Sequence, residues 1–225
     1  MDQGVLYLVA TPIGNLRDIT LRALEILKSV DLIACEDTRH SKILLDHYGI
    51  KKPLTSCFEF SEKKRAPELI SKIKNGMNVA LISDAGTPGI ADPGYRVVSE
   101  AIAAGVRIEA LPGPSAFLTA LTLSGLPTDS FIFEGFFPVK EGQKKKKLTA
   151  LKTEKRTVIF YESPRRLLKT LHVMQEVLGP ETPVVVAREI SKKFEEVVRQ
   201  SVAAVLQNFS GKKVRGEFVI LFNLK

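Results

Sequence analysis

The sequence predicts an α/β protein of two domains, the first built on a parallel sheet and the second on a mixed sheet. In the first half, short apolar runs alternate with segments of helical periodicity, as they do in β-α-β units. In the second half, five strand-like segments occur with fewer helices, which favours a mixed sheet. A length of 225 residues accommodates two domains of about a hundred residues each.

The first half begins with an apolar run at 5–10 that ends at Thr11-Pro12, as expected of a buried parallel strand entering a loop. Thr20 is placed to cap the helix that follows. Leu111-Pro112-Gly113-Pro114 then breaks the pattern, and we predict domains at 1–114 and 115–225. The other elements predicted in this half are strands at 31–35, 78–83 and 107–110 and helices at about 41–48, 62–74 and 95–104.

The second half contains runs rich in Val, Ile and Phe, which are typical of strands. Gly179-Pro180 stops its clearest helical segment. The predicted strands are 131–137, 157–163, 183–189, 195–201 and 216–222, and the predicted helices are 165–178 and 202–209.

The composition excludes several classes of protein. No apolar run approaches the roughly 20 residues that span a bilayer, and the start lacks the basic and apolar regions of a signal peptide. We therefore expect a cytoplasmic protein that does not enter the membrane. The two cysteines, Cys35 and Cys57, stand alone without metal-ligand spacing, so we expect reduced thiols and no metal site.

The net charge of +8 is concentrated in one segment. Residues 138–170 contain eleven Lys or Arg against three Glu, a surplus that equals the charge of the whole chain. This pattern indicates a surface that binds a polyanion. The alternative, which stays open, is a solvated helix face around the run Lys144, Lys145, Lys146 and Lys147.

Three loops that follow predicted strands are unusually rich in Gly and Pro: 10–15, 83–94 and 111–116. In open α/β sheets, ligands collect beyond the carboxyl ends of the strands. None of the three loops matches a phosphate-binding or dinucleotide-binding template. They predict a pocket whose ligand is held through backbone groups, although each loop alone is also explained as a tight turn.

Six phrases occur in order along the chain: LVATPIGNLRDIT, IACEDTRHS, LISDAGTPGIADPG, LPGPSA, FYESPRR and RGEF. Together they resemble the tetrapyrrole methylase superfamily over about residues 5–222. More narrowly, the chain is similar to the branch that methylates small-subunit ribosomal RNA. Its Thr-Pro-Ile-Gly-Asn and Glu-Asp-Thr-Arg stand where porphyrin-type members have G-x-G-P-G-D and Y-D-R-L.

The resemblance implies a class III methyltransferase fold with S-adenosyl-L-methionine in the cleft between the two domains. Because this branch has S-D-A-G-T-P where porphyrin-type members have G-G-D-P, the acidic partner of the cofactor is either matched by Asp84 or replaced by Thr87. The cofactor-binding residues implied are Pro12, Ile13, Gly14, Asp84, Gly86, Thr87, Pro88, Ile90, Ser115, Ala116, Glu162 and Gly216.

The implied reaction transfers the cofactor's methyl group to the 2'-hydroxyl of a decoding-centre cytidine in 16S ribosomal RNA. A general base for that hydroxyl has three candidates, Asp37 and Glu36 by location and Glu162 next. Each carboxylate has an alternative role, which is to cap a helix or to pair with Arg39 or Arg165. The lone histidines His40 and His47 are weaker candidates.

The implied partner is 16S ribosomal RNA in the small ribosomal subunit, and the superfamily favours a homodimer. Expected RNA contacts are Arg39, Arg165, Arg166 and Lys144 to Lys147, and Phe136, Phe137 and Tyr161 are candidates for base stacking. A porphyrinoid C-methyltransferase is the main alternative function, and a protein that holds RNA without catalysis is the next. Relatives usually have a small domain after the last strand, so we expect weaker RNA binding if such an extension contributes to it.

Overall fold

The computed structural model describes residues 3–211 and 213–225. The chain forms two compact units, one ending at Ser115 and the other beginning at Ala116. The boundary predicted from the sequence lies one residue earlier. Each unit contains a five-stranded sheet.

The N-terminal unit alternates strands and helices along the chain. Its sheet has the order β3-β2-β4-β1-β5, and every neighbouring pair is parallel. The elements are β1 (Val5–Val9), α1 (Leu21–Ser29), β2 (Leu32–Cys35), α2 (Thr38–His47), β3 (Leu54–Ser56), α3 (Glu59–Lys74), β4 (Val79–Ile82), α4 (Tyr95–Ala103) and β5 (Arg107–Leu111).

Helices cover both faces of this sheet. α1 and α2 pack with one set of strand side chains, and α3 and α4 pack with the other. Because both faces are buried, the strands are apolar along their whole length, as in β4, where all four residues are buried. Thr20 caps α1 by accepting a hydrogen bond from the N–H of Ala23 at 3.1 Å, as predicted.

The strand order creates a switch point between β2 and β4. The chain leaves β2 toward β3 at one edge of the sheet, whereas it leaves β4 toward β5 at the other edge. The two connections therefore diverge and open a crevice at the carboxyl ends of these neighbouring strands, where ligands bind in open α/β sheets.

The C-terminal unit has a mixed sheet of order β6-β7-β10-β8-β9, in which only β6 and β7 run parallel. Helices α6, α7 and α8 contribute to its single apolar core, and α5 contacts several strands of the sheet. The elements are α5 (Ala116–Ser124), β6 (Phe131–Phe136), α6 (Glu141–Leu151), β7 (Thr157–Glu162), α7 (Leu167–Leu178), β8 (Pro183–Arg188), β9 (Glu196–Ser201), α8 (Val202–Phe209) and β10 (Phe218–Phe222).

The predicted fold class, with one parallel and one mixed sheet, is confirmed, but some elements differ. The short strand β3 and the helices α5 and α6 were not predicted, and α2 and α3 each begin three residues before the predicted start. Within the part of the chain that the structure describes, no helix has the length and apolar character needed to cross a membrane.

Candidate functional site

The loops that follow β1 and β4 are joined by hydrogen bonds. The backbone groups of Thr11 and Gly86 exchange two of them, each 2.9 Å long. The Thr11 hydroxyl also donates to the carbonyl oxygen of Ser83 at 3.0 Å. Since β1 and β4 are neighbours in the sheet, these bonds bring Pro12, Ile13 and Gly14 beside the segment from Asp84 to Pro88.

The segment that follows β5 joins the same group of loops. The Thr87 hydroxyl donates to the carbonyl oxygen of Pro114 at 3.2 Å, next to Ser115. A Cβ atom at Gly113 would lie only 2.7 Å from Cβ of Ala10, so glycine is required for this close passage. We call the loops 10–15, 36–37, 83–94 and 112–115 together the carboxyl edge of the N-terminal sheet.

Asp37 connects the loops on the two sides of the crevice. Its N–H donates to Oδ1 of Asp84 at 3.1 Å, while its carboxylate caps α2 by accepting from the N–H of Arg39 at 2.8 Å. The Arg39 guanidinium pairs with the same carboxylate, and its hydrogen bond holds the pKa of Asp37 well below the usual range. Asp37 therefore has both of the alternative roles, helix cap and ion-pair partner, and is a weak base.

Glu36 has the opposite electrostatic environment. Partial burial raises the pKa of its carboxyl, and the neighbouring charges of Asp84, Asp37 and Glu59 raise it further against a small lowering by His40. A raised pKa makes this carboxylate a better proton acceptor than Asp37. Of the two acids that follow β2, Glu36 is the one suited to proton transfer.

Glu62 fixes the end of the loop 83–94 where α4 begins, a role that the sequence did not indicate. Its buried carboxylate accepts from the backbone N–H groups of Gly94, Arg96 and Val97 at 3.0, 2.9 and 3.3 Å. These are the free donors at the start of α4, where Gly94 offers no capping side chain. Glu62 thus ties the first turn of α3 to the first turn of α4.

The described residues contain no group of three or more His, Cys, Asp or Glu that could hold a metal ion. Both cysteines are buried. Burial raises the pKa of the Cys57 thiol to about 11, so this thiol stays protonated at neutral pH.

In the C-terminal unit, Glu162 lies at the end of β7 inside a buried polar cluster. Its Oε2 is 2.8 Å from Nζ of Lys144 and accepts from the Thr170 hydroxyl at 2.5 Å. Its Oε1 is 2.7 Å from Nε of Arg166 and accepts from the N–H of Ser163 at 2.8 Å. Both carboxylate oxygens are therefore occupied by partners within this unit.

These contacts revise two of the predictions. Lys144 was expected to contact RNA, but its side chain is 0% exposed because it lies on the buried stripe of α6 with Leu148 and Leu151. Burial lowers the pKa of Lys144, although the hydrogen bond to Glu162 opposes this. Glu162 was expected to act as a base or to contact the cofactor, and its side chain is also 0% exposed.

The other basic residues predicted to bind RNA differ in whether they already pair with an acidic side chain. Lys145 pairs with Glu176 at 2.8 Å and Lys147 with Glu134 at 2.5 Å. Arg39 and Arg166 pair with Asp37 and Glu162, as described above. Lys146 and Arg165 are exposed, and neither makes an ion pair within residues 3–211 and 213–225.

The aromatic residues predicted to stack on bases also differ in how exposed their rings are. Phe136 is 58% exposed, whereas Phe137 is 1% exposed and stacks on Phe160 at 4.2 Å between ring centroids. Tyr161 is half-buried and lies edge-on to Phe133 and Phe136. Only Phe136 presents a largely open ring.

Gly216, predicted to contact the cofactor, makes room for a side chain of its own unit. A Cβ atom there would lie 2.5 Å from Cγ of Glu189. Glu189 accepts from the N–H of Glu217 at 2.9 Å and pairs with Lys192 at 3.1 Å. Burial would raise the pKa of Glu189, but these hydrogen bonds outweigh it, and the pKa is lowered overall.

The structure therefore brings together most of the predicted site residues of the first domain at the carboxyl edge of the N-terminal sheet. Ala116 opens α5, and Glu162 and Gly216 both belong to the C-terminal unit at the edge where β7 ends and β10 begins. Glu62 was missed because a buried carboxylate that caps a distant helix leaves no local pattern.

Comparison with known proteins identifies relatives of the whole chain. The family model described as Tetrapyrrole (Corrin/Porphyrin) Methylases matches residues 5–206. A Mesorhizobium japonicum protein named Ribosomal RNA small subunit methyltransferase I is 52% identical over 219 residues, which cover 97% of this chain and 74% of that protein. A Thermotoga maritima protein of the same name is 46% identical, and the match covers 99% of each chain.

Among solved structures, the uroporphyrin-III-C-methyltransferase from Thermus thermophilus is similar in fold. Its TM-score is 0.68 at 21% identity, with 99% of this chain and 96% of that chain covered. At this identity the likeness concerns the fold alone, and the fold is the one that the resemblance implied.

Proposed function

The chain belongs to the tetrapyrrole methylase family, and we propose that within it this methyltransferase modifies ribosomal RNA of the small subunit. One observation supports this most strongly. About half of the residues are identical, over almost the whole chain, to those of proteins named Ribosomal RNA small subunit methyltransferase I.

The finer proposal concerns the acceptor and the assembly. The acceptor is the 2'-hydroxyl of a decoding-centre cytidine in 16S ribosomal RNA, presented by the folded small subunit in the cytoplasm. The enzyme acts as a homodimer. Two phrases distinguish this branch, Thr-Pro-Ile-Gly-Asn and Glu-Asp-Thr-Arg. The first lies at the carboxyl edge of the N-terminal sheet, and the second begins there and continues into α2, beside the place where the chemistry would occur.

S-adenosylmethionine would bind at this edge, beside Ile13, Asp84, Gly86 and Thr87. The residues present suit it, because the half-exposed carboxylates of Asp84 and Glu36 complement a cationic sulfonium, while the glycine-rich loops bring backbone groups close. When bound, the cofactor supplies an electrophilic methyl group.

The protein's contribution would be positioning and proton transfer. The hydrogen bonds between Thr11 and Gly86 and between Thr87 and Pro114 hold the loops in one arrangement, and orientation of two reactants can supply about 7 to 11 kcal/mol of a barrier. Glu36 would accept the proton of the ribose hydroxyl. Asp37 would hold the loop by capping α2 and by its N–H bond to Asp84.

The assay that tests the proposal measures transfer of a labelled methyl group to small ribosomal subunits from a strain that lacks this modification. We expect the label in 16S ribosomal RNA and, after nuclease digestion, in 2'-O-methylcytidine. A parallel reaction contains uroporphyrinogen. Label in the porphyrin alone would overturn the proposal in favour of a C-methyltransferase, and label in neither would favour a protein that holds RNA without catalysis.

Two exposed cations allow a test of RNA binding by the C-terminal unit. We expect the variant with Lys146→Ala and Arg165→Ala to bind the small subunit more weakly. In a plot of the logarithm of the binding constant against the logarithm of the salt concentration, its slope should be less steep by about 1 for each cation removed. S-adenosylmethionine affinity should not change. The measurement is a binding titration at several salt concentrations, and a slope equal to that of the parent would show that these charges only solvate the surface.

A further inference from the structure

Two aromatic rings stand almost fully in solvent at the start of α3 and α4. Phe60 is 91% exposed and Tyr95 is 76% exposed. Two residues after each ring comes a buried residue of the same helix, Glu62 on α3 and Val97 on α4. Because two residues correspond to about 200° around a helix, both rings point away from the sheet.

The two rings belong to one surface. The helices pack side by side against the same face of the sheet. The Glu62 carboxylate joins the first turn of α3 to the N–H groups of Arg96 and Val97 at 2.9 and 3.3 Å. Phe60 and Tyr95 therefore lie at the same end of adjacent helices, and a buried contact fixes their spacing.

The charge around the rings is largely basic. Lys63, Lys64 and Arg96 are exposed, and in the described part of the chain none of them makes an ion pair. The N–H of Cys57 donates to the carbonyl oxygen of Cys35 at 2.7 Å, so the first turn of α3 adjoins the proposed transfer site, and the charge of Glu59 in this turn raises the pKa of Glu36. We call Phe60, Lys63, Lys64, Tyr95 and Arg96 the outer α3–α4 surface.

We propose that the outer α3–α4 surface binds an unpaired segment of the substrate RNA, with bases stacked on Phe60 and Tyr95 and phosphates held by Lys63, Lys64 and Arg96. The inference rests on the proposed function for the identity of the RNA. Aromatic rings interleaved with unpaired cations are the combination that holds single-stranded nucleic acid. The surface would extend RNA contact to the N-terminal unit, whose sequence shows no excess of positive charge.

The test replaces both rings, Phe60→Ala with Tyr95→Ala. Loss of a stacking ring weakens binding of single-stranded nucleic acid about tenfold. We expect the KM for small ribosomal subunits to rise by at least that factor, while kcat at saturating subunit and the affinity for S-adenosylmethionine stay at parental values. The variant with Phe60→Tyr and Tyr95→Phe retains both rings and should restore the KM.

The matched control is Ile102→Ala, because Ile102 is 67% exposed toward the other end of α4. It should leave the KM unchanged. An unchanged KM in the double-alanine variant would overturn the proposal. So would sedimentation showing that this variant loses self-association, since the surface would then be a contact between two copies of the chain.

A second readout separates this proposal from the proposed function. Fluorescence anisotropy with a labelled single-stranded oligonucleotide requires no methyl transfer. Weaker binding by the double-alanine variant than by the parent and by Ile102→Ala supports the surface even if the methylation assay fails. Equal binding by all three proteins would overturn the proposal for this surface, whereas the proposal of methyl transfer to ribosomal RNA would still stand.

Discussion

Replacing Lys144 with alanine should destabilise the C-terminal unit by about 3 kcal/mol, at the lower end of the effect of breaking a buried ion pair. The ammonium group is fully buried and contacts Glu162 and Thr170 at 2.8 and 2.5 Å. Without it, the Glu162 carboxylate stays in the core with Arg166 as its remaining ionic partner. Urea denaturation, followed by circular dichroism, measures the loss.

Two further variants show whether the uncompensated charge is the cause. Lys146→Ala, two residues away on the exposed face of α6, should change the free energy of unfolding by less than about 0.5 kcal/mol. Lys144→Met combined with Glu162→Gln removes both charges and should recover most of the loss that Lys144→Met shows alone. Equal stability of the Lys144 and Lys146 alanine variants would contradict the description of this cluster.

Replacing Glu36 with glutamine should lower kcat for ribosomal RNA methylation by about 10²-fold to 10⁴-fold, the usual contribution of a general base. The base acts in its ionised form, so the rate of the parent should fall as the pH drops through the pKa of Glu36. Since this pKa is raised, the fall should occur at higher pH than for an ordinary glutamate. A pH profile of kcat checks both expectations, because the glutamine variant should not show this fall in rate at low pH.

Glu59→Gln is the matched control for this effect. Glu59 is exposed, and its negative charge is one of those that raise the pKa of Glu36, together with Asp84 and Asp37. Removal of this charge should move the fall in kcat to lower pH, while kcat at neutral pH stays near the parental value. Full activity of Glu36→Gln with an unaltered profile would exclude Glu36 as the base.

The buried strands of the N-terminal unit could be predicted because a strand covered on both faces is an uninterrupted apolar run between breakers. β3 escaped prediction because it has only three residues, Leu54–Ser56, all half-buried. α5 also escaped it. This helix is apolar on nearly all sides, so its residues, Ala116–Ser124, give no periodic contrast between polar and apolar faces.

The basic run is where the sequence was most misleading. Four consecutive lysines point in four directions around a helix, and only tertiary structure decides which of them is buried. One signal was present, since Lys144 precedes Leu148 and Leu151 by four and seven residues and so shares their face. Its partner Glu162 is 18 residues away on another element, and no local pattern shows such a pairing.

The grouping of the loops in the N-terminal unit was predicted better, because all these loops follow parallel strands and such loops meet at one end of a sheet. Strand order, which decides which loops are neighbours, could not be predicted. The Thr11–Gly86 and Asp37–Asp84 contacts depend on it. The contrast between Glu36 and Asp37 likewise depends on which of them Arg39 reaches, although the two residues are adjacent in the chain.

The position of β1 has a consequence for synthesis of the chain. Val5–Val9 lies between Val79–Ile82 and Arg107–Leu111, so the first strand to be made is flanked by strands made much later. At about 5 to 20 residues per second, an apolar segment waits several seconds for its first neighbour. The β1–β4 ladder can form once residue 82 has been made, whereas the β1–β5 ladder requires residues up to Leu111, so β1 is paired on both sides only when the whole N-terminal unit has been synthesised.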